Sequence, residues 1–198
     1  MSLEPSVTRP IADGDGADDP LEHRRVELAR SGDEDAFAAL VRTHQDQLYR
    51  VALRMTGDPA DAQDVVQEAF LRAWEHLPAF RGEARFSTWV TRILINRCHN
   101  LHRARRPTVP LPEESETASG LPQAPAAETL AVAAHRRDAV RQALLSLPLD
   151  QRAPLVLTTF GGYTNAETGH ILGISEGAAK LRVHRGRRVL SMLLQEWR

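Results

Sequence analysis

The chain has 198 residues, a formal net charge of −1 and 42% hydrophobic residues, enough for one medium-sized or two small folded cores. Its single cysteine excludes an intramolecular disulfide and favours a cytoplasmic protein, and no apolar stretch approaches the length of a membrane span. The balanced total hides an asymmetry, because residues 1–22 carry six acidic side chains whereas residues 97–106 carry four arginines and no acid.

The first segment of the chain is rich in Asp, Gly and Pro and has almost no large apolar residues. Such a composition cannot form a core, so we predict a disordered acidic tail over residues 1–24. An alternative stays open, in which this acidic segment shields a basic surface of its own chain.

The next segment, to about Arg106, has apolar residues at helical spacing throughout. It predicts one long amphipathic helix that ends at Gly57. A second helix follows, with Asp58 as its cap and Pro59 at its first position. That helix stops near Leu77, where a proline follows.

One side of this second helix is acidic and polar. It is formed by Asp61, Asp64, Gln67 and Glu68. A negative surface repels DNA phosphates and suits a protein partner with basic groups. The alternative is a solvated acidic face near the positive end of the helix dipole.

A short loop over residues 79–86 leads to a third helix, which we expect Ser87 to cap. The loop contains two aromatic residues, Phe80 and Phe86, which could contact an unstacked base or anchor the loop in a core. Trp89 has the helical spacing of a core residue. The third helix ends in a basic tail that reaches Arg106.

Residues 107–127 form the clearest boundary, because five prolines are mixed there with Ser, Thr, Glu and Ala. Helical spacing resumes at about Glu128, and no alternating strand pattern persists anywhere. We therefore predict an all-α fold, in which small helical domains over residues 25–106 and 128–198 are joined by a flexible linker.

Residues 162–190 have the layout of a helix-turn-helix. Thr164 and Glu167 are spaced as a capping box, Gly173 is placed to end the first helix, and Ser175 is placed to cap the second. The second helix carries five Lys or Arg against one acid, which indicates insertion into the DNA major groove. The alternative is a helical hairpin with a solvated basic face.

Taken in chain order, the two halves resemble the sigma factors of bacterial RNA polymerase. They resemble the short extracytoplasmic function type, which has only the second and fourth conserved regions of the family. DAQDVVQEAFLRAW (61–74) resembles the family's polymerase-binding helix, and FSTWVTRILINRCHN (86–100) its promoter-melting helix. LLSLPLDQRAPLVL (144–157) and the helix-turn-helix resemble its fourth region.

The resemblance implies a promoter-specificity subunit that binds core RNA polymerase, recognises the minus-ten and minus-thirty-five promoter elements and opens the DNA. The positions that match the polymerase-binding surface are Asp61, Asp64, Val65, Gln67, Glu68 and Leu71. Those that match the minus-ten and melting surface are Phe80, Arg81, Gly82, Glu83, Phe86, Arg92, Asn96, Arg97, Asn100 and Arg103. Those that match the minus-thirty-five surface are Ser175, Lys180, Leu181, Arg182, His184, Arg185 and Arg188.

The family also implies an anti-sigma partner, often anchored in a membrane. The chain departs from the family pattern at Gly169-His170 and Ala178-Ala179, and both changes are expected to weaken helix packing slightly.

No phosphate-binding loop or catalytic triad is present, so we expect no enzymatic activity and no cofactor. Cys98, His99 and His102 are clustered but lack a suitably spaced fourth ligand, so no metal site is expected.

Two other functions stay open. A stand-alone helix-turn-helix regulator would not explain the acidic helix and the melting-type segment of the first half. An interaction adaptor or an anti-sigma protein would not need the basic recognition helix.

Overall fold

The computed structural model describes residues 20–105 and 125–195, and side chains in the second range from residue 134. The predicted acidic tail up to residue 19 and the predicted linker up to residue 124 lie outside these ranges. Within them the structure contains only helices and turns, which confirms the all-α prediction. The helices are α1 (Pro20–Arg30), α2 (Glu34–Thr56), α3 (Pro59–His76), a 3-10 turn (Leu77–Ala79), α4 (Phe86–Arg105), α5 (Pro125–Ser146), α6 (Leu149–Thr159), α7 (Asn165–Leu172) and α8 (Glu176–Leu193).

The boundary between α2 and α3 follows the predicted turn chemistry. Gly57 ends α2 in the left-handed conformation, with φ of 78°, and its amide donates to the Leu53 carbonyl. The Asp58 carboxylate accepts from the Asp61 amide at 2.9 Å, and Pro59 opens α3. Both predictions are therefore confirmed.

The start of α4 differs from the prediction that Ser87 caps this helix. Helical hydrogen bonding already begins with the Trp89 amide, which donates to the Arg85 carbonyl at 3.0 Å. The helix therefore begins at Phe86, and Ser87 lies inside its first turn. At the second half, α5 begins at Pro125, slightly before the predicted Glu128.

The first half packs α2, α3 and α4 around a common core, and α1 lies across α2. The fully buried side chains of this core are mostly leucine and valine: Leu40, Leu48, Val51, Val90 and Leu94. The second half packs α6, α7 and α8 together, with Leu155, Val156, Leu157, Ile171 and Val183 buried. Burial of these side chains is the main stabilising contribution in each half.

The two halves also contact each other at the end of α2. Arg152 of α6 donates to the Met55 carbonyl, and Arg141 of α5 donates to the Gly57 carbonyl, each at 3.0 Å. A Cβ atom at Gly57 would collide with the Leu145 side chain, so the glycine permits close approach of the halves as well as the left-handed turn.

The helix-turn-helix forms as predicted. The Thr164–Glu167 capping box is complete, Gly173 adopts φ of 66°, and the Ser175 hydroxyl accepts from the Ala178 amide at 3.2 Å. The expectation that Gly169 weakens the packing is wrong. A Cβ there would lie 2.8 Å from the Ile174 carbonyl oxygen, so the turn closes tightly over α7 only because this residue has no side chain.

Candidate protein and nucleic-acid interfaces

An apolar groove of about 820 Å³ runs between α2 and α3 on the outside of the first half. Its apolar walls are formed by Phe37, Ala38, Val41, Tyr49, Val66, Phe70, Leu71 and Trp74. Leu71 is 57% exposed, and among the exposed large apolar side chains of the described residues it is the one that lines this groove. Exposed apolar grooves of this kind mark protein-binding surfaces.

The six residues predicted to bind the polymerase do not share one face of α3. Gln67 and Leu71 line the groove, and Asp64 is exposed. Val65 is buried in the core. Asp61 and Glu68 form ion pairs with arginines of α4.

These ion pairs neutralise much of the acidic side that the sequence indicated. Arg105 donates two hydrogen bonds to the Asp61 carboxylate, one of them at 2.6 Å. Glu68 accepts from Arg97 and, at 3.3 Å, from Arg72. The Arg97 guanidinium, predicted to contact DNA, is therefore engaged within the first half.

Sequence reasoning missed the contribution of α2 to the groove. The apolar spacing that predicts this helix includes Phe37 and Val41 but not Tyr49, and it does not distinguish core positions from surface positions. All three side chains are only partly buried and line the groove. Because α2 also packs against α1, α3 and α4, its wide apolar stripe does not by itself separate groove positions from core positions.

The loop before α4 is anchored by an aromatic cluster. The Phe80 and Trp89 ring centroids lie 4.8 Å apart, and those of Phe86 and Trp89 lie 5.8 Å apart. Phe86 is 2% exposed and Phe80 is 8% exposed, so in this conformation both rings serve as core anchors. Arg81, Gly82 and Glu83 are exposed at the tip of the loop.

A polar stripe runs along α4. Its exposed members are Arg92, Asn96, Asn100 and Arg103. Their spacing of three or four residues places them on one side of the helix. The stripe thus brings together four of the residues predicted to contact the minus-ten region, and it presents two cations to solvent.

The clustered Cys98 and His99 of α4 face inward. Burial raises the pKa of the Cys98 thiol to about 12, so the thiol stays protonated at neutral pH. Burial, followed by the charges of Arg103, His102 and Arg152, lowers the pKa of His99. Across the described ranges, no three or more His, Cys, Asp or Glu side chains are arranged to hold a metal ion.

The recognition helix α8 presents its predicted DNA-contacting residues on one side. Lys180, Leu181, His184, Arg185 and Arg188 are exposed, Arg182 is half-buried, and Ser175 lies exposed at the cap. The opposite side packs Ala179, Val183 and Gly186 into the domain. Leu181, 49% exposed amid these cations, is suited to contact a thymine methyl group.

Comparison with known proteins gives consistent matches over both halves. Residues 40–108 match the family model for Sigma-70 region 2, and residues 137–190 match that for Sigma-70, region 4. The chain is 32% identical over 180 residues to the ECF RNA polymerase sigma factor SigW of Bacillus subtilis, covering 87% of this chain and 96% of SigW. It is 37% identical over 166 residues to the ECF RNA polymerase sigma factor SigM of Mycobacterium tuberculosis, covering 83% of this chain and 80% of SigM.

The fold is similar to that of solved structures. One is CnrH in complex with the cytosolic domain of CnrY, with a TM-score of 0.68, 30% identity and coverage of 89% of this chain and 98% of that one. Another is the sigma factor RpoE of Bartonella quintana in complex with the anti-sigma factor NepR, with a TM-score of 0.62 and 22% identity, covering 80% of this chain and 96% of that one. The second likeness concerns the fold alone.

Proposed function

The chain belongs to the extracytoplasmic function (ECF) sigma factors of bacterial RNA polymerase, and on that premise we propose which of its surfaces bind the polymerase and the two promoter elements. Members of this family are promoter-specificity subunits that bind core RNA polymerase and initiate transcription. Sigma factors are initiation factors, and in this proposal the polymerase catalyses RNA synthesis. We assign the two functions to separate domains, with polymerase binding and the minus-ten element in residues 25–106 and the minus-thirty-five element in residues 128–198.

The polymerase-binding surface is the apolar groove between α2 and α3. The observation that carries this assignment is the exposed Leu71, which lines the groove together with Gln67 of α3 and Tyr49 of α2. Asp64 adds an exposed negative charge close by on α3. An apolar centre with a polar rim is the usual anatomy of a protein–protein interface. Asp61 and Glu68 act indirectly, by holding α4 through its arginines.

The minus-ten surface comprises the tip of the 79–86 loop and the stripe along α4. Arg81 at the tip and Arg92 and Arg103 on the stripe supply salt-dependent attraction to phosphates. Asn96 and Asn100 carry both hydrogen-bond donors and acceptors, so they are suited to the edges of unpaired bases. This surface is proposed to hold one strand of the melted promoter.

The minus-thirty-five surface is the exposed side of α8, which would enter the major groove of the upstream element. Lys180 and Arg185 are suited to guanine edges, and Leu181 to a thymine methyl group. We assign the remaining predicted residues of this surface, Ser175, Arg182, His184 and Arg188, to phosphate contacts or to positioning of the helix.

A further protein partner is also part of the proposal. The resemblance to the family implies an anti-sigma factor, and CnrH, which is 30% identical to this chain, was solved with the cytosolic domain of CnrY. We place the protein's action in the cytoplasm, where polymerase and promoter meet. Among the helices of the described ranges, none combines the length and apolar character needed to cross a membrane.

Replacing Arg182 and Arg185 together with Ala is expected to weaken binding to duplex DNA that carries the minus-thirty-five element. The loss should be about 1–3 kcal/mol for the base contact of Arg185, and the loss of Arg182 should weaken binding to all sequences alike. Footprinting of the holoenzyme over the upstream element measures it, with Arg50→Ala, an exposed arginine of α2, as the matched control. An unaltered upstream footprint in the double variant would show that α8 is not the element that reads this DNA.

A further inference from the structure

The turn between α6 and α7 carries an aromatic side chain into the first half of the molecule. Tyr163 is 7% exposed, and its hydroxyl lies 2.6 Å from the hydroxyl of Thr91, a fully buried residue of α4. The same Tyr163 hydroxyl donates to the Ser87 carbonyl at 3.3 Å. Tyr163 therefore occupies a site on the first two turns of α4.

The backbone of this turn is shaped around the tyrosine ring. A Cβ at Gly161 would lie 2.8 Å from the Tyr163 ring and 2.7 Å from the Leu157 carbonyl oxygen. Gly162 adopts φ of 75°, a conformation that glycine adopts without strain. The Gln47 amide of α2 holds the turn by donating to the Gly161 carbonyl. Two glycines and a polar contact from α2 thus position one ring against α4.

A second contact reaches the loop that precedes α4. The Arg85 guanidinium lies 3.7 Å from the carboxylate of Glu167, which also closes the capping box of α7. The helix-turn-helix half therefore covers the start of α4 and engages a cation of the 79–86 loop. This arrangement places the two DNA-reading halves in direct contact.

The docked arrangement cannot reach both promoter elements at once. Positions −10 and −35 are 25 base pairs apart, or roughly 85 Å of duplex at about 3.4 Å per pair. A packed body of this size is about 40 Å across. The chain over residues 106–124 could bridge roughly 65 Å if fully extended, so separation of the halves is within the reach of the chain. Promoter binding thus requires that Tyr163 leave its site on α4.

We propose that the Tyr163 side chain is a plug, and that single-stranded promoter DNA competes with it for its site on α4. The inference rests on the proposed function of α4 and extends it. A phenol is a planar six-membered ring with a hydrogen-bonding edge, which is the shape and chemistry of a pyrimidine base. After Tyr163 leaves, the Thr91 hydroxyl and the Ser87 carbonyl remain to bond the edge of such a base. The plug keeps free protein from binding single strands before polymerase and promoter are both engaged.

The test uses the full-length protein and a fluorescein-labelled, single-stranded DNA 20-mer of random sequence, with binding followed by anisotropy. If the plugged form holds about nine-tenths of the molecules, Tyr163→Ala should bind the single strand about tenfold more tightly than wild type. Adding Thr91→Val to Tyr163→Ala should remove most of this gain, because the exposed site then lacks its hydroxyl. Binding of a duplex 20-mer serves as the control and should be unchanged.

Two outcomes overturn the plug: unchanged single-strand affinity in Tyr163→Ala, or the same gain in the double variant. Circular dichroism checks that each variant is folded. If Tyr163→Ala unfolds, Tyr163→Phe takes its place as the test. This variant keeps the ring but loses both hydrogen bonds, so its affinity for the single strand should rise by less than tenfold over wild type. An affinity equal to that of wild type would overturn the proposal. Core polymerase binding by wild type is measured in parallel. Its absence would overturn the proposed function, whereas a missing gain with polymerase binding intact overturns only the plug.

Discussion

Leu71→Asp is expected to weaken binding of core RNA polymerase by about tenfold or more, because a large apolar side chain at the centre of an interface contributes strongly to the binding free energy. The change places a charge in the apolar groove between α2 and α3, where it would have to lose its hydration on binding. Because Leu71 is exposed, the free energy of unfolding should change little. A titration of labelled variant with purified core polymerase measures the effect.

Leu28→Asp is the matched control, because Leu28 is an exposed leucine of α1 that does not line the groove. It should bind polymerase like wild type. Equal affinities for Leu71→Asp and wild type would contradict the assignment of the groove. Reversing the charge of Glu68 is a less specific test, since it would also break the contact with Arg97 and disturb α4.

Arg152→Met is expected to lower the free energy of unfolding by about 2–4 kcal/mol, because the carbonyls it binds lose a charged donor. Arg152 lies buried in α6 and donates to the carbonyls of Met55, Leu145 and Leu147, which are at or near the C-terminal ends of α2 and α5. Its positive charge also complements the negative ends of these helices. Burial lowers the pKa of the guanidinium, yet the group stays charged near neutral pH.

Urea unfolding at constant pH measures this effect. Arg185→Met removes the same group from an exposed position on α8 and should change stability by no more than about 0.5 kcal/mol. The free energy of unfolding of Arg152→Lys should lie between those of wild type and Arg152→Met, because a single ammonium cannot reproduce the planar fork of donors of a guanidinium. The same stability for Arg152→Met and Arg185→Met would contradict the structural role of Arg152.

The sequence predicted those parts of the fold that depend on local chemistry. Gly57 ends α2, and Asp58 and Ser175 cap the starts of α3 and α8, as predicted. Such caps and left-handed turns depend on only a few neighbouring residues. The charges of α8 alone do not show which side of the helix faces solvent. The burial of Ala179 and Val183 in the structure identifies the opposite side as the exposed one.

The long-range contacts were not predictable in this way. The pairing of Asp61 with Arg105 and of Glu68 with Arg97 joins residues 44 and 29 positions apart. It gives Asp61 and Glu68 a role in supporting α4, whereas Asp64 and Gln67 stay exposed on α3. The docking of Tyr163 on Thr91 spans 72 positions. Helical spacing indicates which side of a helix is apolar, but it does not identify the element that packs against it.

The central claim is that this chain directs RNA polymerase to promoters, and transcription in vitro tests it most directly. Purified core polymerase is incubated with genomic promoter fragments, with and without the protein. We expect specific new transcripts that depend on the protein and are strongly reduced with Leu71→Asp. If no transcript appears while the protein still binds duplex DNA and the core polymerase is active with another sigma factor, the sigma-factor account is contradicted and a stand-alone regulator is favoured.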